Sequence, residues 1–139
     1  MENNATFIQQ LPKTELHVHL EGAISPQTVL DLARKNNMLN TLPSNTVEGL
    51  KDWFVFSDFP NFVEKYVTIQ ELLRTPEDFE LIAYRLGEDM AAQNILYREA
   101  TFTITTHTDY LDKGLEATDI LGGLEKGRQH AKKHFGVEI

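Results

Sequence analysis

The chain has no cysteine anywhere in its 139 residues. Disulfides, iron–sulfur clusters and thiolate zinc sites are thereby excluded, so any zinc has to be held by histidine and carboxylate. Basic charge is scarce: 13 Lys and Arg stand against 21 Asp and Glu, a formal net charge of −8. A surface for nucleic-acid phosphate calls for a basic face, and none is indicated. Long apolar runs are missing as well. No stretch approaches a membrane span, and Met1-Glu2-Asn3-Asn4 carries no basic region followed by an apolar one. A cytoplasmic location without a membrane partner is the default expectation. No internal repeat or low-complexity tract occurs. What is present, 41% hydrophobic and 24% charged, is ordinary globular composition. The length suits one domain but is small for a large enzyme fold.

Within that ordinary background the run Glu15-Leu16-His17-Val18-His19-Leu20-Glu21-Gly22 stands out. Residues two apart on a strand share a face, so His17 and His19 would project together. Two imidazoles on a rigid support can grip one metal ion; imidazole suits zinc, and a catalytic zinc keeps an open position for water. On the two-residue spacing alone, two half-buried strand histidines are an equally good reading. The ion is open too, since neutral imidazole accepts several transition metals.

Residues 1–13 read as an irregular lead-in and 14–20 as a first strand. Ser25 as N-cap and Pro26 at the first helical position start a helix whose apolar face is Val29, Leu32 and Ala33. Residues 38–58 read as a long connection. Phe59, Phe62 and Tyr66 then share one helical face, either packed on the core or serving as a hydrophobic lid over a pocket. Thr75-Pro76-Glu77-Asp78 is a strong helix start, and Phe79, Ile82, Ala83, Leu86 and Met90 mark the buried side of that helix. Residues 95–105 read as a second strand. Asp119 would cap a last helix with a face of Leu121, Leu124, Arg128, Ala131 and Phe135, terminated by Gly136. Val137-Glu138-Ile139 looks like a third strand cut off at once. This alternation predicts an α/β fold with parallel strands and an inserted helical segment at about 40–75.

The run Leu11-Pro12-Lys13-Thr14-Glu15-Leu16-His17-Val18-His19-Leu20-Glu21-Gly22-Ala23-Ile24 resembles the opening of the adenosine deaminase family, within the amidohydrolase superfamily. Phe56-Ser57-Asp58-Phe59-Pro60-Asn61-Phe62 resembles that family's lid segment, and Tyr97-Arg98-Glu99-Ala100-Thr101-Phe102 up to His107 its second strand. The resemblance implies the N-terminal part of a TIM-type (β/α)8 barrel, residues 1–139, with one zinc ion at the C-terminal mouth. The implied reaction is hydrolytic removal of ammonia from position 6 of a purine or purine nucleoside, with water as co-substrate. His17 and His19 match the first two metal ligands, Glu21 the acid at the sugar end of the substrate, and Phe59 and Phe62 the apolar gate.

The position of Glu21 is Asp in many adenosine-acting members and Glu is commoner among microbial relatives, including adenine-acting ones, so adenine and aminofutalosine stay open beside adenosine, which is placed first. Thr101 stands where many relatives carry Arg and receives no role. The resemblance places the remaining ligands and the ring-side acid on later strands, so no catalytic residue is expected within this chain. By itself it is expected to bind zinc poorly, to be inactive and to self-associate through exposed strand edges. His107 has a minor claim to lie near the substrate. His130 and His134, four apart on a helix, suit its basic end better than a metal. Another metal-dependent hydrolase opening with H-x-H, or a non-catalytic binding module derived from a deaminase, are the competing readings.

Overall fold

The computed structural model describes residues 4–139; Met1 to Asn3, part of the expected lead-in, lie outside the described residues. Asn4–Gln10 is a short exposed helix, α1, and not the irregular segment expected. Lys13 explains how it ends. Its Nζ donates to the carbonyls of Ile8, Gln9 and Leu11 at 2.9, 3.2 and 2.7 Å, satisfying groups that a helix C-terminus leaves open.

Strand β1, Lys13–His19, runs parallel to β2, Ile95–Thr101. Between them lie α2 (Pro26–Lys35), α3 (Val47–Trp53), α4 (Phe59–Glu71) and α5 (Pro76–Ala92); α6 (Ala117–Phe135) follows β2. Glu138 then bridges Tyr97 in parallel, with its N–H on the Leu96 carbonyl at 2.9 Å, so the chain's last residues lie where a third strand was expected. Helices on a parallel pair bury a shared core in which Leu30, Leu32, Leu50, Leu72, Phe79 and Ile120 are at most 2% exposed. Among the described residues, no helix is long and apolar enough to cross a membrane.

The helix starts follow the sequence. Ser25 Oγ accepts the Thr28 N–H at 3.2 Å, and Thr75 with Asp78 forms the full capping box of α5. Two further segments depart from expectation. The long connection contains α3, which is capped by Thr46 but too short, with Gly49 inside it, to show a helical period. The last helix begins at Ala117, and its packed side is Ile120, Gly123, Gly127 and Ala131, whereas Leu121 is 53% exposed. The reason is distance. A Cβ built on Gly123 would lie 2.2 Å from the Pro76 carbonyl oxygen, and one on Gly127 would lie 2.2 Å from that of Glu80. Helices α5 and α6 pack backbone to backbone, and a stripe of large apolar residues could not do so.

Strand β2 also stops at Thr101, short of the expected 105; a π-helical turn, Thr106–Tyr110, carries the chain away. Such turns are rare and gather at functional sites.

Candidate functional site

The two histidines come together at the C-terminal end of β1. Their ring centroids are 5.2 Å apart with the planes at 70°, and both residues are exposed. Simple strand alternation does not deliver this. Glu15 pairs with Arg98 and Val18 with Ala100, so Leu16 and His17 together oppose Glu99 alone, a β-bulge. His17 takes φ 66°, a left-handed conformation that a β-carbon makes costly, by about 1–2 kcal/mol. Strain of this kind concentrates where a side chain has to be aimed.

Glu21 follows in a single 3-10 turn, Glu21–Ala23, and is fully buried. Its Oε2 accepts from Tyr66 Oη at 3.4 Å; its Oε1 lies 3.5 Å from each of Gln70 Nε2, the Thr103 N–H and His107 Nε2. Burial pushes its carboxyl up, but the His107 contact and the backbone N–H groups of Glu21 and Thr103 outweigh this and hold it below the usual carboxylate range. The same neighbourhood pushes Tyr66 up to about 12, first through burial and then through the Glu21 charge. Glu21 is thus a carboxylate closed over by α4.

The aromatic face expected from the sequence is real. Phe62 stands 6.1 Å from Phe59 and 5.6 Å from Tyr66, with Phe56 edge-on to Phe62 at 5.1 Å. Phe59 is 74% exposed and Phe62 half-buried, so the outer part of this cluster has no cover. Lys65 braces it, donating to the Val55 carbonyl at 2.7 Å with Nζ 6.0 Å from the Trp53 ring centre and 5.6 Å from that of Phe56. The slot enclosed here, about 40 Å³, is far below the roughly 300 Å³ of a ligand pocket. As placed, the aromatics are packed against one another and hold no ligand-sized space.

His107, given only a minor claim from sequence, lies directly behind Glu21 and is fully buried. Gln70, Thr103 and Lys113 complete this polar interior, and the sequence carried no signal for any of them: a helix glutamine, a loop N–H and one lysine before Gly114. His130 and His134 are exposed and lie elsewhere. The first has its Nδ1 3.0 Å from Glu80, and the second has its Nδ1 3.2 Å from the Tyr84 hydroxyl. Among the described residues no group of three or more His, Cys, Asp or Glu side chains is arranged to hold a metal. The pair at 17 and 19 has the right donor chemistry for zinc but supplies two donors, where a protein site normally offers three or four.

A bulged parallel strand presenting two imidazoles at its C-terminal end, with a helical insertion folded over the following turn, is the architecture of one part of a TIM-type barrel. The sequence profile of the adenosine deaminase family matches residues 12–139, and the chain belongs to that family. It is 38% identical over 133 residues to an aminodeoxyfutalosine deaminase of Streptomyces coelicolor, covering 96% of this chain and 33% of that protein. Against an adenine deaminase of Rhodospirillum rubrum it is 33% identical, covering 99% of this chain and 40% of the relative. The chain therefore spans well under half the length of these curated relatives. Among solved structures, an adenine deaminase from Arthrobacter aurescens superposes with a TM-score of 0.78 at 27% identity, over 91% of this chain and 37% of that one. An amidohydrolase from Burkholderia ambifaria, solved with bound zinc, gives 0.82 at 25% identity over 99% of this chain and 36% of that one.

Proposed function

We propose that this chain furnishes the first two metal ligands and the lid of a zinc-dependent hydrolase that removes ammonia from C6 of a purine or purine nucleoside, with adenosine the leading substrate and adenine or aminodeoxyfutalosine the alternatives. The observation that carries the reading is the pair of exposed imidazoles, His17 and His19, brought ring to ring by a strained bulge. The relatives' activities and the zinc in one related structure support it. A zinc ion held by these two residues and by ligands from later strands would supply a water acidified to a pKa of about 7.

The chain's own residues would do the rest of the binding. Glu21 would meet the polar end of the substrate once Tyr66 gives way. Phe59, largely exposed, and Phe62, half-buried beside it, would close on the flat purine and exclude water. None of the residues here is assigned the proton transfer to the purine ring, so the 139-residue chain alone would not deaminate. The test is ammonia release from adenosine, adenine and aminodeoxyfutalosine by the full-length protein, with and without a zinc chelator. Release that the chelator abolishes and zinc restores is the expected result; no release from any purine defeats the assignment in favour of a binding module.

A further inference from the structure

Behind the paired histidines runs a polar chain of which the proposed function uses only Glu21. Glu21, His107 and Lys113, from three separate stretches of sequence, line up in the interior. The His107 ring is locked by packing. It stacks on Phe102 at 5.2 Å between centroids and 4° between planes, and meets Phe79 edge-on at 5.0 Å and 89°. It cannot turn without unpacking both phenylalanines, so its two nitrogens have fixed directions.

Those directions decide where its proton sits. Lys113 Nζ lies 2.8 Å from His107 Nδ1, 2.5 Å from the Gln70 carbonyl oxygen and 2.9 Å from that of Leu73. An ammonium has three N–H donors and no acceptor, so all three partners must accept. Nδ1 is therefore the bare nitrogen, and in the neutral ring Nε2 carries the hydrogen. Nε2 faces Glu21 Oε1 at 3.5 Å, too loose for a formed hydrogen bond, and has no other partner among the described residues.

We propose that His107, its tautomer set by Lys113, is a positioning residue for Glu21, fixing the carboxylate that stands two residues beyond the paired histidines. Of the side chains around Glu21, Tyr66 and Gln70 belong to α4, the helix of the lid. His107 is the one held by aromatic packing on the strand side, so it defines the fixed edge against which the carboxylate rests. Contacts of 3.4–3.5 Å all round describe a cradle with slack. A carboxylate with that much room comes to rest where its most firmly held neighbour puts it. The consequence for substrate rests on the reading that Glu21 meets the polar end of a purine; the tautomer and its dependence on Lys113 do not.

The experiment has two arms, both on the full-length protein. With 15N in the histidine rings, His107 is expected as the neutral Nε2–H tautomer. K113M should shift its Nδ1 signal and E21Q its Nε2 signal. The opposite tautomer, or a ring indifferent to both substitutions, overturns the proposal without any variant of His107 having to fold. In the kinetic arm, H107F keeps the stack but removes the donor, and H107Q restores an N–H at the place of Nε2. H107F should raise KM for the purine about tenfold, the worth of one hydrogen bond to a charged group, with kcat within about twofold. H107Q should recover most of that loss. Equal KM values for H107F and H107Q reduce His107 to a packing residue and overturn the proposal. If the full-length protein deaminates no purine, the proposed function fails by itself, and the nitrogen spectra still decide the arrangement of Lys113, His107 and Glu21.

Discussion

The rings of His17 and His19 stand 5.2 Å apart on a strand whose regular alternation is broken between them and their partner strand. The bulge at Leu16 and His17 and the left-handed φ of His17 re-aim the first ring toward the second. A strand used only for packing gains nothing from such a conformation. Convergence of two exposed imidazoles gives it a purpose.

Zinc titrated into the chain and followed by calorimetry should bind weakly, through these two rings. H17A and H19A should each weaken binding on the order of tenfold or more, since loss of even an outer partner of a metal ligand costs that much. H130A and H134A should leave it unchanged. Equal weakening by H130A would move the metal to α6 and away from the barrel mouth.

Gly122 and Gly123 are adjacent on α6 and should respond in opposite ways to the same substitution. A Cβ on Gly122 meets nothing within 4 Å, so G122A should gain about 0.5–1 kcal/mol from helix propensity. A Cβ on Gly123 meets the Pro76 carbonyl oxygen at 2.2 Å and has to push α5 away, so G123A should lose about 1–3 kcal/mol. Urea melts of the two variants check this. A gain for both would mean that the helices do not pack along the Gly123 side.

Asp78 is fully buried at the start of α5, taking Lys35 Nζ at 2.6 Å, Asn36 Nδ2 at 2.9 Å and the N–H groups of Arg74 and Thr75 at 2.8 and 2.9 Å. Burial pushes its carboxyl up, but these four donors outweigh that and hold it below the ordinary carboxylate range. D78N, which turns an acceptor into a donor among donors, should cost about 3 kcal/mol. The sign with pH follows from the lowered value. The stabilisation is present above the unfolded pKa of about 4 and is lost as pH falls through the folded one. Wild type and D78N should converge in stability below about pH 4, and a constant gap down to pH 2 would contradict the assignment.

Much of this was legible because it depends on local chemistry. Ser25-Pro26 and Thr75-Pro76-Glu77-Asp78 act as caps through their own side chains, and the sequence reads them as such. The Phe59, Phe62, Tyr66 face is likewise a periodic signal, whereas the histidine rings meet through a bulge and not through the two-residue period of a regular strand. What escaped depends on partners distant in sequence. The packed face of α6 includes Gly123 and Gly127, whose use is visible only beside the Pro76 and Glu80 carbonyls, so sequence alone points to the larger but exposed Leu121. His107 and Lys113 gain meaning only when Glu21, more than eighty residues earlier, is folded against them. The bulge at His17 likewise comes from pairing with β2 and cannot be read from β1 alone.

Lys113 offers a test of the buried polar interior that needs no substrate. Burial first, and then the charge of Arg74, brings its ammonium down from the usual 10.5 to about 8. A base whose pKa is lower in the folded state binds fewer protons there than in the unfolded chain between those two values. Folding is therefore handicapped by a constant amount below about pH 8, and the handicap is relieved as pH rises from 8 toward 10.5. Tyr66, raised to about 12 in the folded chain, opposes this rise only near the top of the window, where the unfolded tyrosine begins to ionise around its ordinary 10, and it does so equally in K113M. Stability from urea unfolding should accordingly rise between pH 8 and pH 10 in the wild type. In K113M, which has no amine to deprotonate, that rise should be absent. An identical rise in K113M would mean that Lys113 titrates as a surface lysine and that its three hydrogen bonds to Gln70, Leu73 and His107 do not form in solution.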